Sequence, residues 1–353
     1  ASPGAVPSSS TTTMPSPTLS SDAVQAIRID VHAHVLPFER SGAAIGSNGA
    51  EWSVDGYLTI DGTKLDNGRL YGASHLLDWM MQYGVAEAWV SIPPTAYRLQ
   101  LSEAETATWC EVVNSGLQRL EAGQGGKIGA LLHLPVQYPS LAAKIVRTAA
   151  AQGHNRFAMA NSDPQGRLLL SDDAFIPLWE ALDDCGAFLF LHPARPCDTR
   201  FTKFSLINLL GGPTETALAA AHLAMSGTLE KYFRITFCLA HGGGTLPAIV
   251  GRIQLGQDNN RPGAYLGGQK IRDAVRRFCV DCITHDAGAL EQAARTFGED
   301  RVLFGSDWPF PMGLPDPTQA LALCPQPLRQ RILHGNAEAL FSSRSLSSPH
   351  KES

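Results

Sequence analysis

Short unbroken apolar runs alternate along the chain with longer stretches of helical spacing. The runs Arg28–Val35, Ala88–Ile92, Ile128–Leu132, Arg156–Met159, Ala187–Leu191, Arg234–Ala240, Arg277–Asp281 and Val302–Gly305 read as strands. Between them, Ser74–Tyr83, Glu103–Ala122, Ser140–Gln152, Asp173–Cys185, Thr214–Ser226, Leu229–Tyr232, Ala287–Phe297 and Leu328–Phe341 read as helices. Ser74 is placed to cap the first helix and Gly84 to end it. Strands without polar interruption are covered on both faces, the mark of a parallel sheet. Eight such βα units predict an α/β chain folded as a (β/α)8 TIM barrel of about 250 residues or more. An open doubly wound sheet is the competitor, but no Gly-x-Gly-x-x-Gly turn follows any strand, and Gly242-Gly243-Gly244 lacks that spacing.

Residues 37–67 interrupt the alternation after the first strand. They are mixed in polarity and carry glycines around 42–49, and Trp52–Ile60 alternates as a hairpin would. The expectation is an insertion over the mouth of the site. Residues 1–26 are rich in Ser, Thr and Pro and predict a disordered N-terminal tail, with Met14 a candidate start. No basic segment followed by an apolar one marks a secretory signal there. The barrel is expected over 27–343 and a flexible C-terminal tail over 344–353.

Composition narrows the class of protein. The chain is 44% hydrophobic and 17% charged, with a net charge of -5. There is no long basic run, so neither nucleic acid nor an anionic membrane is the expected partner. No apolar stretch reaches the roughly 20 residues a membrane span needs. The seven cysteines are scattered. They suit small buried residues in a reducing, cytoplasmic compartment. Cys279 and Cys282 form a C-x-x-C with no companion pair, too little for a structural zinc knuckle.

The polar residues of interest stand where the strands stop. His32 and His34 end the first, and residues i and i+2 of a strand share a face. His192 follows Phe188–Leu191, His241 follows Phe237–Ala240, and Asp307 follows Val302–Ser306. In a barrel these strand ends meet on one face. Four histidines and one aspartate there make a mononuclear metal site with an open position. Taken singly, each has a plainer reading as a hydrogen-bonded core or turn residue. His75, His133, His154, His222, His285 and His334 keep that reading.

The stretches Ile29–Pro37, Leu191-His192-Pro193, Gly212–Thr216, Ala240–Gly244, Val250-Gly251-Arg252 and Leu303–Pro311 together resemble the amidohydrolase superfamily. Within it they resemble the metal-dependent non-oxidative decarboxylases, a branch typified by 2-amino-3-carboxymuconate-6-semialdehyde decarboxylase and the hydroxybenzoate decarboxylases. The resemblance runs from about Ile29 to Phe341. It implies that His32, His34, His192 and Asp307 ligate one divalent metal, Zn2+ first and Mn2+ second. It implies that His241 is the acid/base residue, with Asp307 sharing proton traffic. It also implies a homodimer in which Arg252 crosses the interface to hold a substrate carboxylate.

The fourth strand ends without Lys or Glu, which favours one metal over a bridged pair. Arg69 lies near the position of a substrate-gripping arginine, although its flanks do not match. Trp308 and Phe310 are candidates for the wall of a pocket for a flat acid. Ala194-Arg195-Pro196-Cys197-Asp198 departs from the muconate enzymes, where an aromatic residue follows the proline. The expected function is release of CO2 from an unsaturated or aromatic small-molecule carboxylic acid. The alternatives are a hydrolase of a lactone or amide using the same metal, and a non-catalytic metal-binding barrel.

Overall fold

A computed structural model of the chain describes residues 27–38, 45–163, 166–195, 198–264 and 268–341. Both expected tails, 1–26 and 344–353, lie outside the described residues. The chain is α/β. Its strands are β1 (Asp30–His34), β2 (Ala50–Trp52), β3 (Leu58–Ile60), β4 (Thr63–Lys64), β5 (Ala88–Ser91), β6 (Ile128–Ala130), β7 (Leu132–Leu134), β8 (Arg156–Ala160), β9 (Phe188–His192), β10 (Thr236–Leu239), β11 (Cys279–Asp281) and β12 (Val302–Leu303).

β1, β5 and β6 form one parallel sheet, and β12-β11-β10-β9-β8-β7 form another. The single strand expected over Ile128–Leu132 is two, broken at Leu131, with β6 paired to β5 and β7 to β8. Leu131 N–H still donates to the carbonyl of Val90 at 2.9 Å. At the other side, Val31 N–H donates to Phe304 at 3.0 Å and His34 N–H to Trp308 at 2.8 Å. These bonds join the first strand to the segment that follows the last.

Each parallel strand divides its side chains between two packed layers. On β9, Leu189 and Leu191 face the layer shared with the helices, whereas Phe188 and Phe190 belong to an inner cluster with Val31, Leu131, Cys238 and Leu303. Period-two alternation therefore carries His192 to the same side as Phe190. β1 breaks that alternation, because its register shifts between Asp30 and Ala33. Val31 packs in the inner cluster, and the His32 ring also lies inward, 4.7 Å from that of Phe190. A bulge of this kind re-aims a side chain at the end of a strand. Here it turns His32 and His34 toward one point.

The helices Glu103–Ala122 and Ala287–Phe297 begin and end where the sequence places them. The first carries a capping box: Ser102 accepts from Glu105 N–H, and the Glu105 carboxylate accepts from Ser102 N–H. Ser74–Tyr83 is also helical as expected, but Ala73 rather than Ser74 is its N-cap and no side chain caps it. Ser74 is already inside the first turn, so its hydroxyl is past the capping position. The expected last helix is interrupted, running as Gln326–Gln330, a wider turn over Arg331–Gly335, and Asn336–Phe341. Leu246–Asp258 is also helical, as are the short segments Ile271–Ala274 and Pro317–Ala320, none of them among the expected helices.

The segment between β1 and Ser74 holds the antiparallel sheet β2-β3-β4, which includes the expected hairpin. It is tied down by Arg98, whose guanidinium donates to both oxygens of Asp61 at 2.8 and 2.7 Å. The same group reaches Ser47 Oγ at 2.8 Å and the Asn48 carbonyl at 2.6 Å, and lies 5.0 Å from the Trp109 ring. These bonds hold the Asp61 carboxyl below its ordinary pKa.

Candidate active site

His32, His34, His192 and Asp307 each turn one donor atom toward a common point, all within 4.8 Å of one another, and all four residues are buried. Nε2 of His32 and Nε2 of His34 are 3.1 Å apart. Asp307 Oδ1 is 3.3 Å from the first and 3.2 Å from the second. The other nitrogen of each ring is already engaged. Nδ1 of His32 meets Asp281 Oδ2 at 2.7 Å. Nδ1 of His34 faces Ser91 Oγ at 3.1 Å and the Ile92 carbonyl at 3.3 Å, and Nδ1 of His192 faces the Pro193 carbonyl at 3.0 Å. Carbonyl and carboxylate acceptors place the ring hydrogen on Nδ1, which leaves the Nε2 lone pairs pointing inward.

This arrangement fits a divalent metal. Two Nε2 lone pairs face each other at hydrogen-bond distance, a repulsive contact unless a cation or proton lies between them. Ligands about 2.0–2.2 Å from a metal sit about 3.0–3.4 Å from their neighbours in octahedral or tetrahedral order, which is the spacing among His32, His34 and Asp307, with the His192 donor within 4.8 Å of them. Three imidazoles with one carboxylate suit zinc or manganese. Among the described residues this is the one such cluster, and β8 contributes no carboxylate or amine to a second.

The charges around it also favour a cation. Burial and the neighbouring histidines hold His192 well below its ordinary pKa, and burial lowers His34. Burial acts against charge on His32 too, but Asp307 and Asp281 outweigh it and raise its pKa. Burial alone would raise Asp307, yet His32, His241 and His34 draw its carboxyl well below the usual range. Without a metal, the site therefore holds ionised carboxylates beside a protonated His32, with His34 and His192 neutral, in a buried volume.

Asp281, at the end of β11, organises this set. It is fully buried and accepts from His32 Nδ1, from His241 N–H at 2.9 Å, and from Gly242 and Ile283 N–H at 3.0 Å each. Sequence reading ended a strand at Asp281 without assigning it a role. The available signal was an acid closing the apolar run Phe278-Cys279-Val280. Gly305 lets the last strand's loop approach closely, since a Cβ there would meet the Cβ of Asp281 at 2.8 Å and of His32 at 2.9 Å. Ser306 then anchors to Asp30, with Oγ donating at 2.5 Å, and Asp307 N–H donates to the His32 carbonyl at 2.7 Å.

His241 stands beside the cluster, its Nε2 3.8 Å from Asp307 Oδ2. It adopts φ +55°, a left-handed conformation that costs a non-glycine residue energy. Asp281 and the tight Gly242–Gly244 turn hold it there. A cavity of about 910 Å³ opens above, lined by His34, His192, His241 and Asp307 and largely by apolar groups such as Ile207, Phe310 and Met312. His285, read as structural, is also on its wall.

Three residues expected at the substrate do not line this cavity. Trp308 is 5% exposed and packs in the layer under the helices, because its backbone bridges to Ala33; Phe310 takes the wall position instead. Arg69 is exposed on the turn Gly68–Leu70, and Arg252 is exposed on the helix Leu246–Asp258. Behind His192 lies a polar pair: His133, expected as a hydrogen-bonded core residue, and Tyr97, to which the sequence pattern assigns no role. The rings of Tyr97 and His133 stack at 5.2 Å, and Tyr97 is 6.5 Å from His192. Tyr97 Oη and both nitrogens of His133 are buried with no hydrogen-bond partner among the described residues. Burial lowers the His133 pKa to about 4.

A family model described as Amidohydrolase matches residues 29–342. The chain is 24% identical over 328 residues to the 2-amino-3-carboxymuconate-6-semialdehyde decarboxylase of Dictyostelium discoideum, covering 89% of this chain and 91% of that protein. It is 26% identical over 293 residues to the 6-methylsalicylic acid decarboxylase of Aspergillus aculeatus, covering 80% and 84%. Among solved structures, a dihydroxybenzoic acid decarboxylase from a Polaromonas species aligns with a TM-score of 0.72 at 21% identity, over 90% of this chain and 98% of that one. That structure holds manganese and an inhibitor, 2-nitroresorcinol.

Two predictions follow from the buried groups. Asp281→Asn removes the charged acceptor that orients His32, so divalent-metal affinity should fall about 10–100-fold, read by titrating Mn2+ or Zn2+ into the metal-free protein; unchanged affinity would contradict the role. For His133, the unfolded imidazole binds a proton below pH 6.5 and the folded one only near pH 4. Its contribution to stability is complete above pH 6.5 and lost as pH falls through that window, about 3 kcal/mol in all. Metal-free His133→Leu should therefore lose less stability than the metal-free wild type between pH 7 and 4.5, measured by urea unfolding at each pH.

Proposed function

The chain belongs to the amidohydrolase family, and we propose that it is a metal-dependent non-oxidative decarboxylase acting on an unsaturated or aromatic carboxylic acid. One observation carries the reading. A buried three-histidine, one-carboxylate cluster with His241 alongside opens into a largely apolar cavity. That combination suits an acid whose flat carbon frame is held dry while its oxygen substituents meet the polar floor. The full-length relatives described above are named as decarboxylases of such acids. A single domain over 27–343 is proposed, its strands closing into an eight-stranded barrel with the β2-β3-β4 sheet as the insertion. The Val31 and His34 bonds to the segment after β12 support that closure.

His32, His34, His192 and Asp307 would hold the metal, zinc or manganese. When bound, the ion supplies a Lewis acid that anchors and polarises an oxygen substituent of the substrate. The remaining work falls to the chain. His241, with Nε2 facing Asp307, delivers its proton to the carbon that bears the carboxylate. The bond from that carbon to the carboxylate then breaks, CO2 departs, and the bonding electrons return to the conjugated frame. His241 regains a proton from solvent. Asp307 steadies the charged imidazole through this exchange, and Asp281 fixes the His241 backbone. The apolar wall at Ile207, Phe310 and Met312 limits water at the reacting carbon.

A homodimer is part of the proposal. Arg252 is exposed and off its own chain's cavity wall, so it reaches a substrate carboxylate only in a partner's site. The compartment we favour is the cytoplasm, in keeping with the cysteine pattern; no described helix is long and apolar enough to cross a membrane.

Metal-loaded protein should release CO2 from at least one of 2-hydroxybenzoates, dihydroxybenzoates, a pyrimidine carboxylate or 2-amino-3-carboxymuconate semialdehyde. A chelator should abolish release, and His241→Ala should lower it by about 10²-fold or more. Silence across the panel with metal verified as bound, together with cleavage of a lactone, would replace the decarboxylase by a hydrolase. For the shared site, mixing inactive Arg252→Ala with inactive His241→Ala subunits should restore part of the activity; no restoration contradicts the crossing arginine.

A further inference from the structure

We propose that Arg195 reads a second anionic group on the substrate, one that stays on the product after CO2 leaves; this rests on the carboxylic-acid reading of the site. Among the described residues lining the cavity, Arg195 is the one Lys or Arg. Arg69 and Arg252 are not on that wall. It follows the metal-site residue His192 by three positions on the loop after β9, a span of at most about 10 Å. Its side chain is exposed, and no carboxylate among the described residues pairs with it. The acid nearest along that loop, Asp198, is occupied by Arg200, whose Nε lies 3.0 and 2.9 Å from its two oxygens. A planar guanidinium without a partner among the described residues, on a wall that is mostly apolar away from the metal-site residues and His285, is suited to a bidentate carboxylate.

The departing carboxylate is the wrong ligand for it. As the reaction proceeds, charge leaves that group for the carbon frame. An ion pair formed there is strongest in the ground state and opposes the step. An anionic group retained in the product keeps its charge throughout, so its binding energy orients the acid without raising the barrier. The cavity, about 910 Å³, is near the upper end of ordinary small-molecule sites, about 300–1,000 Å³. It has room for a ring with a second acidic substituent directed away from His241. Arg195 is thus a specificity-determining residue, and the substrate class is a phenolic or conjugated dicarboxylic acid.

The test uses two ligands that release no CO2, 4-hydroxy-3-nitrobenzoate and 2-nitrophenol. They differ only in one carboxylate, and the nitro group stands in for the departing one. Dissociation constants are measured by calorimetry on the full manganese-loaded chain, as wild type, Arg195→Ala and Arg195→Lys, after matched melting temperatures verify folding. The wild type should bind the nitrobenzoate about 10–100-fold more tightly than the nitrophenol. Arg195→Ala should erase that preference while shifting nitrophenol binding by less than about two-fold, and Arg195→Lys should keep part of it. A wild type with no preference, or a loss equal for both ligands, overturns the assignment. CO2 release from 4-hydroxyisophthalate and 2-hydroxybenzoate, run in parallel, separates the two claims. Discrimination without CO2 sinks the decarboxylase and leaves Arg195 standing, whereas CO2 from both acids without discrimination does the reverse.

Discussion

The mutual repulsion of donor lone pairs in a buried space is the constraint around which this molecule is built. Three Nε2 atoms and a carboxylate oxygen converge within 4.8 Å, shielded from the water that would otherwise separate them. Such a cluster is costly unless a cation compensates it. The rest of the fold reads as the means of holding it. A register shift in β1 turns His32 and His34 inward, and strand alternation brings His192 to the same side. The loop after β12 is drawn in by Ser306 on Asp30 and by Asp307 N–H on the His32 carbonyl.

Asp281 couples the three-histidine, one-carboxylate cluster to His241, the proposed acid/base residue. One carboxylate fixes the tautomer of His32 and receives the backbone N–H of His241 and Gly242. Metal affinity and the placement of His241 therefore share a support. The strained conformation of His241 and the close approach at Gly305 have the same origin, since both loops must reach Asp281. Gly244 belongs to this set, because a Cβ there would lie 2.1 Å from the Pro213 carbonyl.

The elements legible in the sequence were those in which local pattern and tertiary burial agree. Glu103–Ala122 carries its own capping box, and Ala287–Phe297 has Asp286 to cap it and a strongly one-sided apolar face. The helix Leu246–Asp258 hides because Gly251 and Gly256 interrupt its stripe and Gln254 and Gln257 are buried. Polar residues on the inner face disguise a helix. The His and Asp residues of the cluster stood out because apolar runs preceded them. Asp281 had that signal but resembled a strand end, and its role lies in bonds to β1 and to the turn after β10 that no local pattern reveals. Trp308 and Arg69 were placed near the substrate by their position along the chain, which does not fix the direction of a side chain. His133, on β7, reads from sequence as a hydrogen-bonded core residue, and nothing local to it shows that its ring stacks on Tyr97 with neither nitrogen bonded.

The central claim is that His32, His34, His192 and Asp307 form a metal site. Crystals grown with Mn2+ and measured for anomalous scattering test it most directly. The account predicts one strong anomalous peak bounded by the three Nε2 atoms and the Asp307 carboxylate. No peak there, with the four side chains closed on one another through hydrogen bonds, would contradict it and remove the basis for the chemistry derived from the site.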